Sequence, residues 1–351
     1  MANFGPKDIK KLRETTSAGM MDCKNALKET DGDFDAAIAW LREKGLGAAA
    51  KKAGKVAAEG VVSVEVSDNK AVIVEINSQT DFVAQNDTFK AVVAEITKHA
   101  FDNNLADADA INSSEINGQS FADYLSLQIA TIGENLVVRR AGMIASDDDT
   151  VAINGYVHAN SRVAVLLGAK CEDAQTAKKV ASELKNVAMH AAAMSPSTLS
   201  YKDFDPQFVA DETAGRIEKI KKENEELVRL KKPLKNVPQY VSMMQITDEV
   251  LADAKTAIEA ELASEGKPEK IWDRIVPGKV ARFISDNTLL DQELALLDQK
   301  YVMDDSLTVA EHIEKISGGK ATITDFIRLE VGEGIEVEEE DFAAEVAKQM
   351  A

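Results

Sequence analysis

The sequence predicts an α+β chain with helical additions, and three observations carry that expectation. A strand–turn–strand–helix pattern occurs twice between residues 60 and 200. Helical periodicity without strands precedes it, over residues 6–45. A charge-dense stretch with two narrow apolar stripes, residues 205–265, comes after the second copy. At 351 residues the chain exceeds one small core, so about two or three domains are expected.

Residues 6–45 read as three short helices. Pro6 suits a first helical position, and Ile9 and Leu12 share a face. Gly19 precedes the second helix, where Met20, Cys23 and Leu27 lie on one stripe. Met21 points off that stripe and reads as exposed, while Met20 stays open between core and contact. Asp33 is placed to cap the third helix. Phe34, Ala37, Ile38 and Leu41 fall at i, i+3, i+4 and i+7, and Gly45 is expected to end that helix. Lys51-Lys52-Ala53-Gly54-Lys55 then reads as a solvated basic linker.

Val61–Val66 and Ala71–Ile76 form the first predicted hairpin, turning at Ser67-Asp68-Asn69. Phe89, Val92, Val93 and Ile96 mark the helix after it. Between return strand and helix stands Asn77-Ser78-Gln79-Thr80-Asp81-Phe82-Val83, a polar loop with one aromatic. Local pattern alone favours Thr80 or Asp81 as a cap and Phe82 folded back into the core, because apolar side chains are usually buried. Phe121, Leu125 and Ile129 suggest a helix, and Leu136–Ile144 a strand.

The plan then recurs. Ala152–His158 and Arg162–Ala169 are strands around the turn Ala159-Asn160-Ser161, and a long amphipathic helix runs from Ala177 to Ala191. Residues 60–200 thus read as a degenerate duplication of one α+β unit. His158 ends a strand beside a turn, and a lone histidine there is either structural, merely exposed or a contact. In residues 205–265, two apolar stripes (Ile217, Ile220, Leu227, Leu230; then Val250, Leu251, Ala254, Ile258, Leu262) flank Pro233 and Pro238. They suggest an antiparallel helical hairpin that Gly266-Lys267-Pro268 ends. Ile271–Ile316 reads as irregular helix and loop, and Thr322–Val331 as the strand completing a second sheet. Phe342, Val346 and Met350 lie at i, i+4 and i+8 on a short terminal helix.

Composition narrows the function. A net charge of −19 disfavours direct nucleic-acid binding, which needs a basic surface. Cys23 and Cys171 are too few for a disulfide scaffold and are expected reduced, in a cytoplasm. No apolar leader region and no run near about 18 apolar residues occur, so no signal peptide and no membrane span are expected. The absence of G-x-x-x-x-G-K-[ST], G-x-S-x-G and H-E-x-x-H disfavours a nucleotide-binding or hydrolytic enzyme, and no cofactor or metal is expected.

Several stretches form one set, in order along nearly the whole chain. They are Leu12-Arg13-Glu14-Thr15-Thr16, Gly19-Met20-Met21-Asp22-Cys23-Lys24, Glu75-Ile76-Asn77-Ser78 with Thr80-Asp81-Phe82-Val83, and Ile132-Gly133-Glu134-Asn135. Phe326-Ile327-Arg328, Val331-Gly332-Glu333-Gly334-Ile335 and Asp341-Phe342-Ala343-Ala344-Glu345-Val346 complete the set. Together these stretches resemble the bacterial elongation factor Ts family, the guanine-nucleotide exchange factors of elongation factor Tu. Thr16-Ser17 stands where the family usually has Thr-Gly, and the helical hairpin looks longer than usual.

The resemblance implies a specific organisation. Residues 1–55 would be a three-helix, ubiquitin-associated-like domain with its linker, and 56–145 a core N-subdomain. Residues 146–204 and 266–335 would be a core C-subdomain, giving a duplicated α+β core with two small antiparallel sheets. Residues 205–265 would be an inserted coiled-coil-like hairpin and 336–351 a C-terminal helical module.

It also implies a mechanism on elongation factor Tu, GDP-bound and nucleotide-free. Thr80, Asp81, Phe82 and Val83 would be the exchange loop, with Asp81 and Phe82 wedged beside the helices near the partner's Mg²⁺ site. Leu12, Arg13, Met20, Met21, His158, Phe342 and Val346 would be partner contacts. Self-association through the core C-subdomain stays open. Two other classes stand beside this one: an acidic interaction scaffold without exchange activity, and an enzyme using the duplicated core as a small-molecule pocket.

Overall fold

Apolar periodicity places the helices and β-branched runs place the strands; the computed structural model describes residues 4–16 and 18–336. The expected terminal helix with Phe342, Val346 and Met350 lies outside the described residues. The chain forms two compact units, residues up to 168 with those from 327 onward, and residues 169–326.

The first unit begins with α1 (Pro6–Thr16), α2 (Met20–Glu29) and α3 (Phe34–Lys52). Leu12, Cys23, Ala26, Leu27, Ala37 and Leu41 form their common core. Asp33 caps α3 as expected, its Oδ1 accepting from Ala36 N at 2.9 Å. The buried stripe of α2 is Cys23, Ala26 and Leu27; Met20 falls outside it and is 58% exposed.

β1 (Glu59–Val66) and β2 (Lys70–Ser78) form the first hairpin. α4 (Asp81–Gln85), α5 (Asp87–Asp102) and α6 (Ala108–Asn112) follow. Then come β3 (Glu115–Ile116), β4 (Gln119–Ser120), α7 (Phe121–Ile132) and β5 (Val137–Ala145). β2 is central and antiparallel to both β1 and β5. Alternation sends Val72, Val74 and Ile76 to one face, against Phe89, Val92, Val93 and Ile96 of α5 and Phe121 of α7. Ala71 and Ile73 go to the other face, with Ile153, Ala164, Leu166 and Leu329. Burial on both faces explains why this strand reads as an unbroken apolar run.

β6 (Val151–Val157), β7 (Val163–Cys171) and α8 (Ala174–Met194) repeat the plan. The second sheet has the order β6-β7-β10, where β10 is Ala321–Glu330. Both three-stranded sheets therefore put the returning hairpin strand in the centre and add a later strand beside it. The fold is a mixed one of helices and small antiparallel sheets.

Residues of the second unit depart most from expectation. α9 (Pro206–Arg229) starts where that stretch begins, because Asp205 caps it, accepting from Gln207 N at 2.9 Å and Phe208 N at 3.0 Å. The chain after α9 doubles back on it, with Lys235 N donating to Asn224 Oδ1 at 2.8 Å. α10 (Asp248–Ser264) packs on α11 (Trp272–Asp286), joined by an ion pair between Lys279 and Glu261 at 2.9 Å. The adjacent helical pair is thus α10–α11, and not the two stripes of residues 205–265. The physical reason lies in the connections. Residues 230–247 are too many for a tight turn, whereas Gly266-Lys267-Pro268 connects neighbours directly. α11 runs through Pro277, where the sequence suggested irregular structure. α12 (Leu289–Leu294), β8 (Lys300–Tyr301), β9 (Asp304–Thr308) and α13 (Val309–Ser317) complete the unit.

α3 also continues past Gly45, taking Lys51 and Lys52 from the expected linker. Gly45 is a close-approach residue rather than a stop. A Cβ there would lie 3.0 Å from Leu127 Cδ2 and 3.3 Å from Leu127 N, so its hydrogen lets α3 lie directly on α7. Gly47, two residues on, has open space around it. Opposite effects are therefore expected in thermal melts. Gly45→Val should destabilise by about 1–3 kcal/mol through overpacking. Gly47→Ala should stabilise by up to about 1 kcal/mol through helix propensity.

Candidate functional site

The loop of residues 79–83 is a strand end converted into a single helical turn. β2 stops at Ser78, and Thr80 adopts an extended backbone, φ −123° and ψ 153°. Its Oγ1 accepts from Val83 N at 3.3 Å, so Thr80 is the N-cap of α4. Ala84 is buried and Val83 half-buried, both packed on the central core. One turn of helix with its 83–84 side inward leaves Asp81 and Phe82 facing water. Phe82 is 83% exposed, so the core placement that local pattern favours is corrected, whereas the Thr80 cap is present.

The loop is held from 54 residues away. Glu134 Oε2 accepts from Gln79 N and Thr80 N, each at 3.0 Å, and Glu134 Oε1 accepts from Thr80 Oγ1 at 2.7 Å. Gly133, at φ +87°, ends α7 in the left-handed conformation and turns the chain so that Glu134 comes next. Asn135 Nδ2 donates to the Lys55 carbonyl at 2.9 Å, fixing the end of the basic segment. The stretch Ile132-Gly133-Glu134-Asn135 is thus a helix stop carrying two long-range anchors. Its spacing signals a C-cap in sequence, but nothing local tells which loop the carboxylate reaches.

The other expected contact residues divide by exposure. Met21 is 63% exposed at the start of α2, and Arg13 is exposed on α1. Leu12 is enclosed at 0% within the three-helix core, so it shapes that unit from inside and offers no outer surface. A Cβ on Gly19 would lie 3.6 Å from Thr131 Cγ2, which puts the start of α2 beside the C-terminal end of α7. The methionine pair and the Phe82 turn are therefore both organised around that end of α7. His158 is exposed in the β6–β7 turn, where its Nδ1 and Tyr156 Oη lie 3.3 Å apart. Phe342 and Val346 lie outside the described residues.

Buried titratable groups of the second unit serve as hydrogen-bond partners within the fold. Burial pushes the Asp298 carboxyl up to about 6, a value suited to proton transfer, yet the group is an acceptor for Tyr201 N at 3.4 Å. Burial also raises Asp291, which accepts from Met243 N at 2.6 Å. Each carboxylate ties together segments of the second unit that are far apart in sequence. His190 is fully buried between Gln299 and the Val302 backbone. A groove of about 820 Å³ lies between α10, α11 and residues 236–240, in the second unit and away in sequence from the duplicated strands. Among the described residues there is no cluster of three or more metal-ligating side chains, and no helix is long and apolar enough to cross a membrane.

Fold and site together define an α+β chain that displays an aromatic side chain on a capped, carboxylate-held turn. The family model described as Elongation factor TS matches residues 79–237 and 234–333. A protein of Sulfurovum sp. (strain NBC37-1) named elongation factor Ts is 69% identical across the whole of both chains. Proteins of the same name from Aliarcobacter butzleri and Helicobacter hepaticus are 56% and 50% identical, over 100% of this chain and 99% and 100% of theirs. The chain belongs to the elongation factor Ts family.

The exposure of Phe82 has a direct consequence for stability. Phe82→Ala should leave the melting temperature nearly unchanged, within about 0.5 kcal/mol, as for other surface substitutions. Phe89→Ala, in the central core, should cost about 3–5 kcal/mol. A thermal or urea melt of the two variants checks both.

Proposed function

We propose that this chain is the guanine-nucleotide exchange factor of elongation factor Tu, acting in the cytoplasm during translation elongation, with no chemistry of its own. Family membership supports the partner, and one observation carries the site: Phe82 stands 83% exposed on a turn fixed at both ends. A large apolar side chain held in water on a rigid scaffold is suited to a partner surface.

A GTPase holds its nucleotide through backbone donors around the phosphates and through Mg²⁺. In this reading Phe82 enters a space that opens when helices near that metal shift, and Asp81 disturbs the network that holds the metal. Thr80 and Val83 fix the turn from its inner side. Met20, Met21, Arg13 and His158, and beyond the described residues Phe342 and Val346, supply binding energy remote from the nucleotide. The subdomain limits proposed from sequence serve the same division of labour, with residues 1–55 docking and 56–145 carrying the loop.

Binding must favour the nucleotide-poor conformation, because equal affinity for both states shifts nothing. Linkage then makes the effect reciprocal: this chain loosens GDP by the factor by which GDP loosens this chain. The test loads elongation factor Tu with fluorescent GDP, adds substoichiometric chain and tracks release into excess unlabelled GDP. Release should accelerate with each chain acting many times, and Phe82→Ala should slow it roughly tenfold or more, one aromatic's burial being about 1.5–3 kcal/mol. Binding without accelerated release would identify an acidic scaffold instead.

A further inference from the structure

We infer that Glu134 is the positioning residue of the Asp81-Phe82 turn, its carboxylate fixing the backbone through which Phe82 is presented. The inference rests on the exchange reading, and deepens it by naming what holds the working side chain in place.

Three donors converge on this one carboxylate: Gln79 N and Thr80 N at 3.0 Å, and Thr80 Oγ1 at 2.7 Å. Gln79 and Thr80 lie beyond the last paired residue of β2, since Ser78 opposite Glu59 closes the ladder. Their amides thus have no strand to bind, and they precede a helix only five residues long. Such a helix cannot orient itself, because one turn fixes several residues for very few hydrogen bonds. Its own closing bonds are Ala84 N to the Thr80 carbonyl at 3.3 Å and Asn86 N to the Val83 carbonyl at 2.9 Å. Packing of Val83 and Ala84 fixes the depth of the turn, and Ser78 Oγ, donating to the Thr80 carbonyl at 3.1 Å, ties its start to the strand end. The carboxylate adds the long-range anchor, binding two successive amides and the capping hydroxyl together. A bond to an ionised acceptor is about twice as strong as a neutral one.

Glu134 is itself held by the stop of α7, so the geometry of the turn tracks that of α7. Both of its oxygens are already engaged within the chain, and it acts through Phe82 without needing to touch the partner.

A double-mutant cycle on substoichiometric GDP release tests this, with Glu134→Ala, Phe82→Ala and the double variant. Glu134→Ala should slow release roughly tenfold in the parent chain and less than about twofold in the Phe82→Ala background, since the misplaced group is then already gone. Glu134→Gln keeps an acceptor for both amides and should restore most of the rate. Equal slowing in both backgrounds, or no slowing by Glu134→Ala, would overturn the inference while leaving the exchange reading intact. Unchanged release by Phe82→Ala alone would instead overturn that reading. Should Glu134→Ala fail to fold, amide hydrogen exchange on the parent chain decides: Gln79 and Thr80 amides should be protected, and free exchange there would refute the clamp.

Discussion

An apolar side chain displayed in water must be held by something other than its own burial. Phe82 sits on a five-residue helix, which has no independent stability. Its position therefore depends on the Thr80 cap, the inward packing of Val83 and Ala84, and the Glu134 carboxylate. The rest of the first unit can be understood as support for these three. β2 is buried on both faces and supplies a rigid base. α5 closes one face, and α7 delivers the carboxylate.

α7 links this turn to the N-terminal helices. α3 lies directly on it through Gly45, and Arg42 of α3 pairs with Asp123 of α7 at 2.9 Å. The start of α2, with its exposed methionines, comes to the same end of the helix as Glu134. A second polar anchor acts elsewhere in the sheet. Glu75, fully buried on β2, binds Arg139, Arg140 and the Gly332 amide, and so fixes the segment where the described chain ends. Removing one partner from such a buried ion pair typically costs about 3–5 kcal/mol, because the other charge is left unpaired.

Much of this was legible in sequence because it is local. The Asp33 cap, the i, i+3, i+4, i+7 set of α5 and the two hairpins depend on residues within a few positions of each other, and all are present. The departures arise where a distant partner decides. Gly45 reads as a helix stop until Leu127 lies against it. Two stripes separated by prolines read as a hairpin until α11 proves the nearer partner of α10. The resemblance implies Leu12 as a partner contact, yet its neighbours enclose it. The exposure of Phe82 could not be read from its own pattern, since burial is the default for an aromatic. The resemblance of Thr80-Asp81-Phe82-Val83 to a family loop carried that expectation, and the role of Glu134 needed the fold.

The central claim is that Phe82 contributes more to the nucleotide-poor complex than to the GDP-bound one. Titration calorimetry of parent and Phe82→Ala chains against both forms of elongation factor Tu measures this directly. The account predicts a loss of about 1.5–3 kcal/mol toward the nucleotide-free form and a clearly smaller loss toward the GDP form. Equal losses toward the two forms would contradict it, because Phe82 would then bind the partner without shifting its nucleotide equilibrium.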